Sequence, residues 1–170
     1  MFPRKVGDGL LLTAYGHEQL RAELETLETD GRRVLQEQLR DARGDGDLAD
    51  NAGLLELLEE HARLEDRIAL LAVQLTAAEI VTPAGDGTAD LGTCVRVRDL
   101  GSGEVREHEL VGALESDLGD GRVSIESPVG RALLGHRAGA VVEVETPSGL
   151  LALEIVSVRL SEARELRRAA

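Results

Sequence analysis

The chain has 170 residues, room for one domain of ordinary size or two small ones, with 30% charged and 42% hydrophobic residues and a net charge of −13. That balance is globular rather than disordered, and it excludes a protein that grips nucleic acid by neutralising phosphates with a basic face; a basic protein partner is more natural. Phe2 and Tyr15 are its two aromatics and Cys94 its one cysteine, so there is no aromatic platform for nucleobases and no internal disulfide.

Residues 1–12, with Pro3, Gly7 and Gly9, read as a loose arm. Leu10 to Leu12 is too short for a signal-peptide core, and no apolar run approaches the length of a membrane span, so the expected location is the cytoplasm. Thr13 then suits a helix N-cap. The first helix is expected to run to about Ala42, with Gly31 inside it at a cost of about 1 kcal/mol relative to alanine. Leu20, Leu24 and Leu27 step by four and three, while Leu35, Leu39 and Ala42 repeat those steps one residue out of phase. That is a stutter in the heptad pattern, and Val34 counts among the apolar positions beside it.

A glycine-broken acidic turn follows at 44–52, flanked by Arg43 and containing Asp45, Asp47 and Asp50. The second helix, from about Asp50 to Ile80, places Leu54, Leu57, His61, Leu64, Ile68, Leu71, Leu75 and Ala78 at alternating steps of three and four, the seam of a coiled coil. His61 on that seam is either a pH or metal site or a half-exposed polar register marker. No cysteine or second histidine stands nearby at ligand spacing, which favours the marker. Two helices of some 30 residues each make a hairpin of roughly 45 Å. Residues 13–82 hold 16 Asp/Glu against 7 Lys/Arg, a balance of −9, so the hairpin is the acidic part.

Pro83 to Asp90 reads as a linker into a domain spanning 91–160. Alternating runs at 94–98, 105–111, 123–125, 141–145 and 151–158, separated by glycine-rich turns, predict strands joined mostly as antiparallel hairpins. Cys94 is expected to be a small buried strand residue. One short helix interrupts the strands: Ser127 caps it, Pro128 suits its first turn and Gly135 ends it. The tail, 161–170, either extends as an Arg-rich helix or frays.

Two readings compete for the acidic turn. Asp47 and Asp50, three apart at a helix start, resemble a capping pair suited to the positive end of the helix dipole. Asp45 adds a third acid, however, and Gly44 and Gly46 leave the approach open at the far end of a long hairpin. Two carboxylates can hold a hard cation such as Mg²⁺ without filling its octahedral shell, so the turn suits a metal shared with a partner rather than a site of its own.

Several stretches carry a family likeness: Leu20-Arg21-Ala22-Glu23-Leu24, Gly46-Asp47-Leu48-Ala49-Asp50-Asn51-Ala52, Arg67-Ile68, the run from Ser127 to His136, and Thr146-Pro147-Ser148-Gly149. Over about 13–160 the chain resembles the bacterial Gre factors, elongation factors that bind RNA polymerase and promote transcript cleavage. The resemblance implies an α+β chain, an N-terminal antiparallel coiled-coil hairpin followed by a small FKBP-like antiparallel β domain with one short helix. It implies an accessory factor, a monomer, that docks on the rim of the polymerase secondary channel, here through Ser127, Pro128 and Gly135. The hairpin then carries Asp47 and Asp50 to the polymerase active site, where they share a Mg²⁺ that the factor alone does not hold stably. The polymerase itself hydrolyses the backtracked RNA, and Arg43 contacts the RNA 3′ end.

Departures from the family pattern bear on the chemistry. Asp50 stands where glutamate is usual, and Gly53, Leu54, Leu55 and Leu58 replace a glutamate, a tyrosine, a histidine and an arginine. A second reading is therefore a regulator that occupies the same channel without promoting cleavage. A prolyl isomerase is disfavoured because no aromatic residue lies beyond Tyr15, and a bare coiled-coil scaffold with a capped turn remains the plainest alternative. His17, His108 and His136 are expected at surface or turn positions, and no nucleophilic triad or phosphate loop is suggested.

Overall fold

Regular helix-forming runs first and β-branched alternation second give a mixed α+β chain, a helical hairpin followed by a curled sheet. The computed structural model describes residues 10–44, 52–119, 121–146 and 149–161. They divide into two compact units, 18–77 on one side and 10–17 with 78–161 on the other.

In the hairpin unit, helix α1 (Ala14–Thr26) continues through a π-helical turn (Leu27–Gly31) into α2 (Arg32–Gly44), and α3 (Ala52–Ala77) returns beside them. The π turn is the physical form of the stutter. The Arg32 N–H reaches the Leu27 carbonyl, five residues back, so one extra residue is absorbed and the inward face passes from Leu24 and Leu27 through Gly31 to Leu35 and Leu39. Gly31 faces Leu64 with room to spare: a Cβ there would meet that side chain at 3.4 Å, an ordinary contact. Val34, placed on the seam by the pattern, points to solvent at 43% exposure, since the extra residue rotates it away. On α3 the expected seam is the less exposed face, with Ile68 and Leu71 buried and Leu54, Leu57, His61 and Leu64 half-buried. Arg32 binds Glu65 through two hydrogen bonds (2.8 and 2.7 Å), and Arg67 pairs with Glu23 at 3.0 Å. Such exposed pairs fix register more than they stabilise.

The helix expected to reach Ile80 stops at Ala77. Glu79–Val81 is strand β2, as β-branched Ile80 and Val81 ahead of Pro83 favour. It pairs in parallel with β1 (Leu11–Thr13), Leu12 opposite Ile80. The end of the supposed arm is thus a strand, with Leu12 fully buried. Nor is 83–90 a free linker. Pro83 and Ala89 are buried, Ala89 and Gly135–His136 exchange backbone hydrogen bonds of 2.8 Å, and Arg137 holds Asp86 (2.8 Å) and Thr88 (3.0 Å).

The larger sheet has the order β5-β4-β3-β7-β6, from β3 (Thr93–Asp99), β4 (Val105–Val111), β5 (Arg122–Ser124), β6 (Val141–Thr146) and β7 (Gly149–Leu160). All neighbours are antiparallel except β4 and β5. Val95, Val97, Leu110, Val142, Val144, Leu153 and Ile155 face an aliphatic core closed by Leu91, Ile125 and Leu133, the last from helix α4 (Pro128–Leu133). Each such side chain, fully buried, contributes about 1.5–3 kcal/mol, which explains how a core without aromatics holds. A bulge beside Arg96/Val97 leaves Val156 turned outward, so Ile155 and Val158 both face in.

Candidate functional site

The site predicted from sequence falls in the segment between α2 and α3. Asp47 and Asp50, with Asp45, fall outside the described residues, and so does the side chain of Arg43, whose backbone lies in the last turn of α2. The described residues flanking the turn are Arg40 and Asp41, both exposed, and, after it, Gly53, Leu54, Leu55 and Leu58. Leu54 is turned toward the seam, whereas Leu55 is 66% and Leu58 42% exposed. Leu55 and Leu58 are therefore apolar and open to solvent in the first turns of α3. Among the described residues no three of His, Cys, Asp and Glu cluster to hold a metal. By donor chemistry, Asp47 and Asp50 suit a shared Mg²⁺: two hard oxygen ligands leave the rest of an octahedral shell to water and a partner.

The residues expected at the docking surface form one element. Ser127 Oγ accepts from the Gly130 N–H at 3.0 Å and donates to the Ser124 carbonyl at 2.7 Å, capping α4, while Pro128 sits in its first turn. Gly135 follows with a left-handed φ of 79°, which glycine adopts without strain. Gly130 packs so tightly on the preceding segment that a Cβ would fall 2.0 Å from the Ser124 carbonyl oxygen. Pro128, Arg131, Gly135 and His136 are exposed around this capped turn.

The histidines and the cysteine give no catalytic set. His17 and His61 are half-buried and His136 is exposed. His108, expected at a surface or turn, lies half-buried in β4 opposite Val95; burial and then the charge of Arg106 push its imidazole below the usual value. Its Nδ1 is buried and has no hydrogen-bond partner among the described residues. Cys94 is half-buried rather than buried, and its thiol is pushed up to about 12 by burial and then by the Glu107 carboxylate.

Sequence reasoning missed one polar cluster. Glu115 sits in a 3-10 turn (Ala113–Leu118) with 1% exposure. Its Oε1 accepts from the Thr13 N–H (2.7 Å) and the Gly112 N–H (3.1 Å), and its Oε2 accepts from the Thr13 hydroxyl. Thr13 Oγ1 in turn accepts from the Gly16 N–H at 2.8 Å, the N-cap expected from sequence. Beside it, the Arg122 guanidinium lies 5.4 Å from the centre of the Tyr15 ring and pairs with Glu109 at 3.3 Å. Gly112 three residues before Glu115 is the available signal, a weak capping-box pattern.

A helical hairpin and a curled five-stranded sheet define a two-unit α+β chain. Residues 10–80 match the family described as transcription elongation factor, N-terminal, and residues 84–160 the family described as transcription elongation factor, GreA/GreB, C-terminal. Transcription elongation factor GreA of Alkaliphilus oremlandii is 39% identical over 151 residues, 88% of this chain and 95% of that protein. The GreA of Syntrophobacter fumaroxidans is 36% identical over 150 residues, covering 87% and 96%. Among solved structures, Gfh1 of Thermus aquaticus aligns at 31% identity over 89% of this chain and 98% of that one, with a TM-score of 0.41. The chain belongs to the GreA/GreB family of transcription elongation factors.

Proposed function

We propose that this protein is a transcription elongation factor that binds RNA polymerase at the secondary channel and stimulates cleavage of backtracked RNA by the polymerase's own active site. The observation that carries the reading is the pairing of family membership across residues 10–160 with two carboxylates, Asp47 and Asp50, on the turn between two long helices. The hairpin provides reach: 31 residues from Ala14 to Gly44 span about 45 Å at helical rise. The element around Ser127, Pro128 and Gly135 docks on the channel rim, and Arg43 contacts the RNA 3′ end. When present, a Mg²⁺ shared with the polymerase supplies charge stabilisation and an activated water for phosphodiester hydrolysis. Asp47 and Asp50 supply the negative charge that suits it. The factor acts as a monomer, and the chemistry belongs to the polymerase.

A second reading rests on Leu55 and Leu58, exposed beside the turn where the family has basic and polar groups. On that reading the hairpin occupies the channel and slows elongation without promoting cleavage. Cleavage of a stalled, backtracked transcript by purified polymerase separates the two. The comparison is no factor, the native protein and the Asp47→Asn/Asp50→Asn double variant, with binding measured separately. Cleavage at least tenfold faster with the native protein, lost in a variant that still binds, supports the first reading. Binding with unchanged cleavage and slower elongation overturns it in favour of the second.

A further inference from the structure

The five-stranded sheet ends in two unlike edges, β5 and β6. β5 spans three residues, and the Ser124 carbonyl at its end already accepts from the Ser127 hydroxyl and N–H. β6 is longer and open. The Ile155 N–H donates to the Ala140 carbonyl at 2.8 Å, so the backbone of Ala140 points toward β7. Along an antiparallel strand that direction alternates residue by residue, and Val142 opposite Leu153 and Val144 opposite Leu151 continue the bonded side. The N–H and C=O groups of Val141, Glu143 and Glu145 therefore point away from the sheet, and no hydrogen bond among the described residues takes them. A row of free strand groups is a template for another strand. Val142 and Val144 are buried in the core, so this template is held in place before any partner arrives. Its outward side chains are Val141, 57% exposed, and the exposed carboxylates of Glu143 and Glu145. Elsewhere on the sheet the acids have arginine partners: Glu154 with Arg98, Glu107 with Arg159, Glu109 with Arg122. Among the described residues Glu143 and Glu145 make no ion pair or side-chain hydrogen bond.

We propose that the outer edge of β6 is a docking site for an extended segment of a basic protein, which adds to the sheet as its next strand. The main chain of the partner pairs with Val141, Glu143 and Glu145. Its alternate side chains are lysine or arginine, set beside the two glutamates, and the others are apolar, continuing the side of the sheet that Val142 and Val144 occupy. A second copy of this chain fits the edge poorly. Of the antiparallel two-fold pairings of β6 with itself, the two that overlap most set Glu143 against Glu143 or Glu143 against Glu145, and like charges directly opposite repel. Neither Asp47 and Asp50 nor the element around Ser127 takes part, so cleavage activity does not bear on this site.

The test titrates the full chain with short synthetic peptides and follows its backbone amide resonances. One peptide alternates lysine and valine. A second has the same sequence with its peptide nitrogens methylated, which keeps the charge but removes the N–H donors. A third alternates glutamate and valine. The expected result is that the lysine–valine peptide shifts the amides of Val141, Glu143 and Glu145 and slows their hydrogen exchange about tenfold, while the methylated peptide binds about tenfold more weakly. The acidic peptide does not bind the native chain but binds the Glu143→Lys/Glu145→Lys variant, whose melting temperature is compared with the native one. If that variant does not fold, the three peptides on the native chain decide. No binding of the lysine–valine peptide overturns the proposal and leaves the glutamates as guards against edge pairing. Equal binding of the methylated peptide overturns it too, because charge alone then suffices. So does a dimer in sedimentation whose contact protects the β6 amides, since a second copy would then fill the edge.

Discussion

Replacing Gly16 by alanine should destabilise this protein, although alanine is the better helix former. Gly16 lies in the first turn of α1 with a helical backbone, where alanine ordinarily gains about 0.5–1 kcal/mol. Here the new Cβ would fall 1.8 Å from Oε2, 2.1 Å from Cδ and 2.5 Å from Cγ of Glu115. The carboxylate must leave, because the atoms on its other side are packed and it is 1% exposed. Three donor groups lose a charged acceptor, each bond worth about 1.5–3 kcal/mol before water compensates. Allowing for solvation of the displaced carboxylate and for the helix gain, the net loss is about 1–3 kcal/mol. Calorimetry of the full chain should show the transition of the sheet unit lowered by about 5–15 °C, at several degrees per kcal/mol for a domain this small. Gly31→Ala is the internal control. Its Cβ would meet Leu64 at 3.4 Å, an ordinary contact, so the hairpin should gain about 0.5–1 kcal/mol. A Gly16→Ala protein that melts at or above the native temperature would refute the view that Glu115 occupies the space against α1.

Two further predictions concern titration and reactivity. Burial lowers the pKa of His108 from its usual 6.5, so below that pH the unfolded chain binds a proton that the folded chain resists. Stability is therefore full above pH 6.5 and falls on acidification through the window just beneath it. The carboxylates of Asp86, Asp99, Glu104 and Glu107 are lowered too, and their contributions are lost only below 4.5. Urea midpoints at pH 7.5 and 5.5 should differ in the native protein and coincide in His108→Leu; a slope that survives the substitution assigns it elsewhere. The Cys94 thiol, raised to about 12, should react with a disulfide reagent at pH 8 about a thousandfold more slowly than in the unfolded chain, because only the thiolate attacks. Reaction at the rate of a free thiol would refute that environment.

The helical seam was legible because its period is local. Leu54 through Leu75 alternate by three and four, and one helix face is all such a pattern needs. Even the break was legible: the one-residue slip between Leu27 and Leu35 marks where the π turn lies. Ser127 was legible as a cap for the same local reason. The bulge in β7, where Val156 turns outward, was not read from the sequence, because adjacent apolar residues also occur at Val141-Val142 and Leu150-Leu151 without a bulge. What escaped was non-local. Leu11–Thr13 and Glu79–Val81 are three-residue strands that exist only because the hairpin brings them together, and no window of sequence contains both. Glu115 binds across 102 residues, and a single glutamate after a glycine gives little hint of burial.

The split between local and non-local determinants also separates two kinds of functional claim. The acids of the turn need only the turn itself, together with an arm to carry them, and both follow from short sequence windows. The parallel β1–β2 ladder, the buried carboxylate at the first turn of α1 and the arginine against Tyr15 rest instead on distant pairings. On the proposed function a substitution at Asp47 or Asp50 removes chemistry, whereas one at Thr13 or Glu115 disturbs packing within the sheet unit.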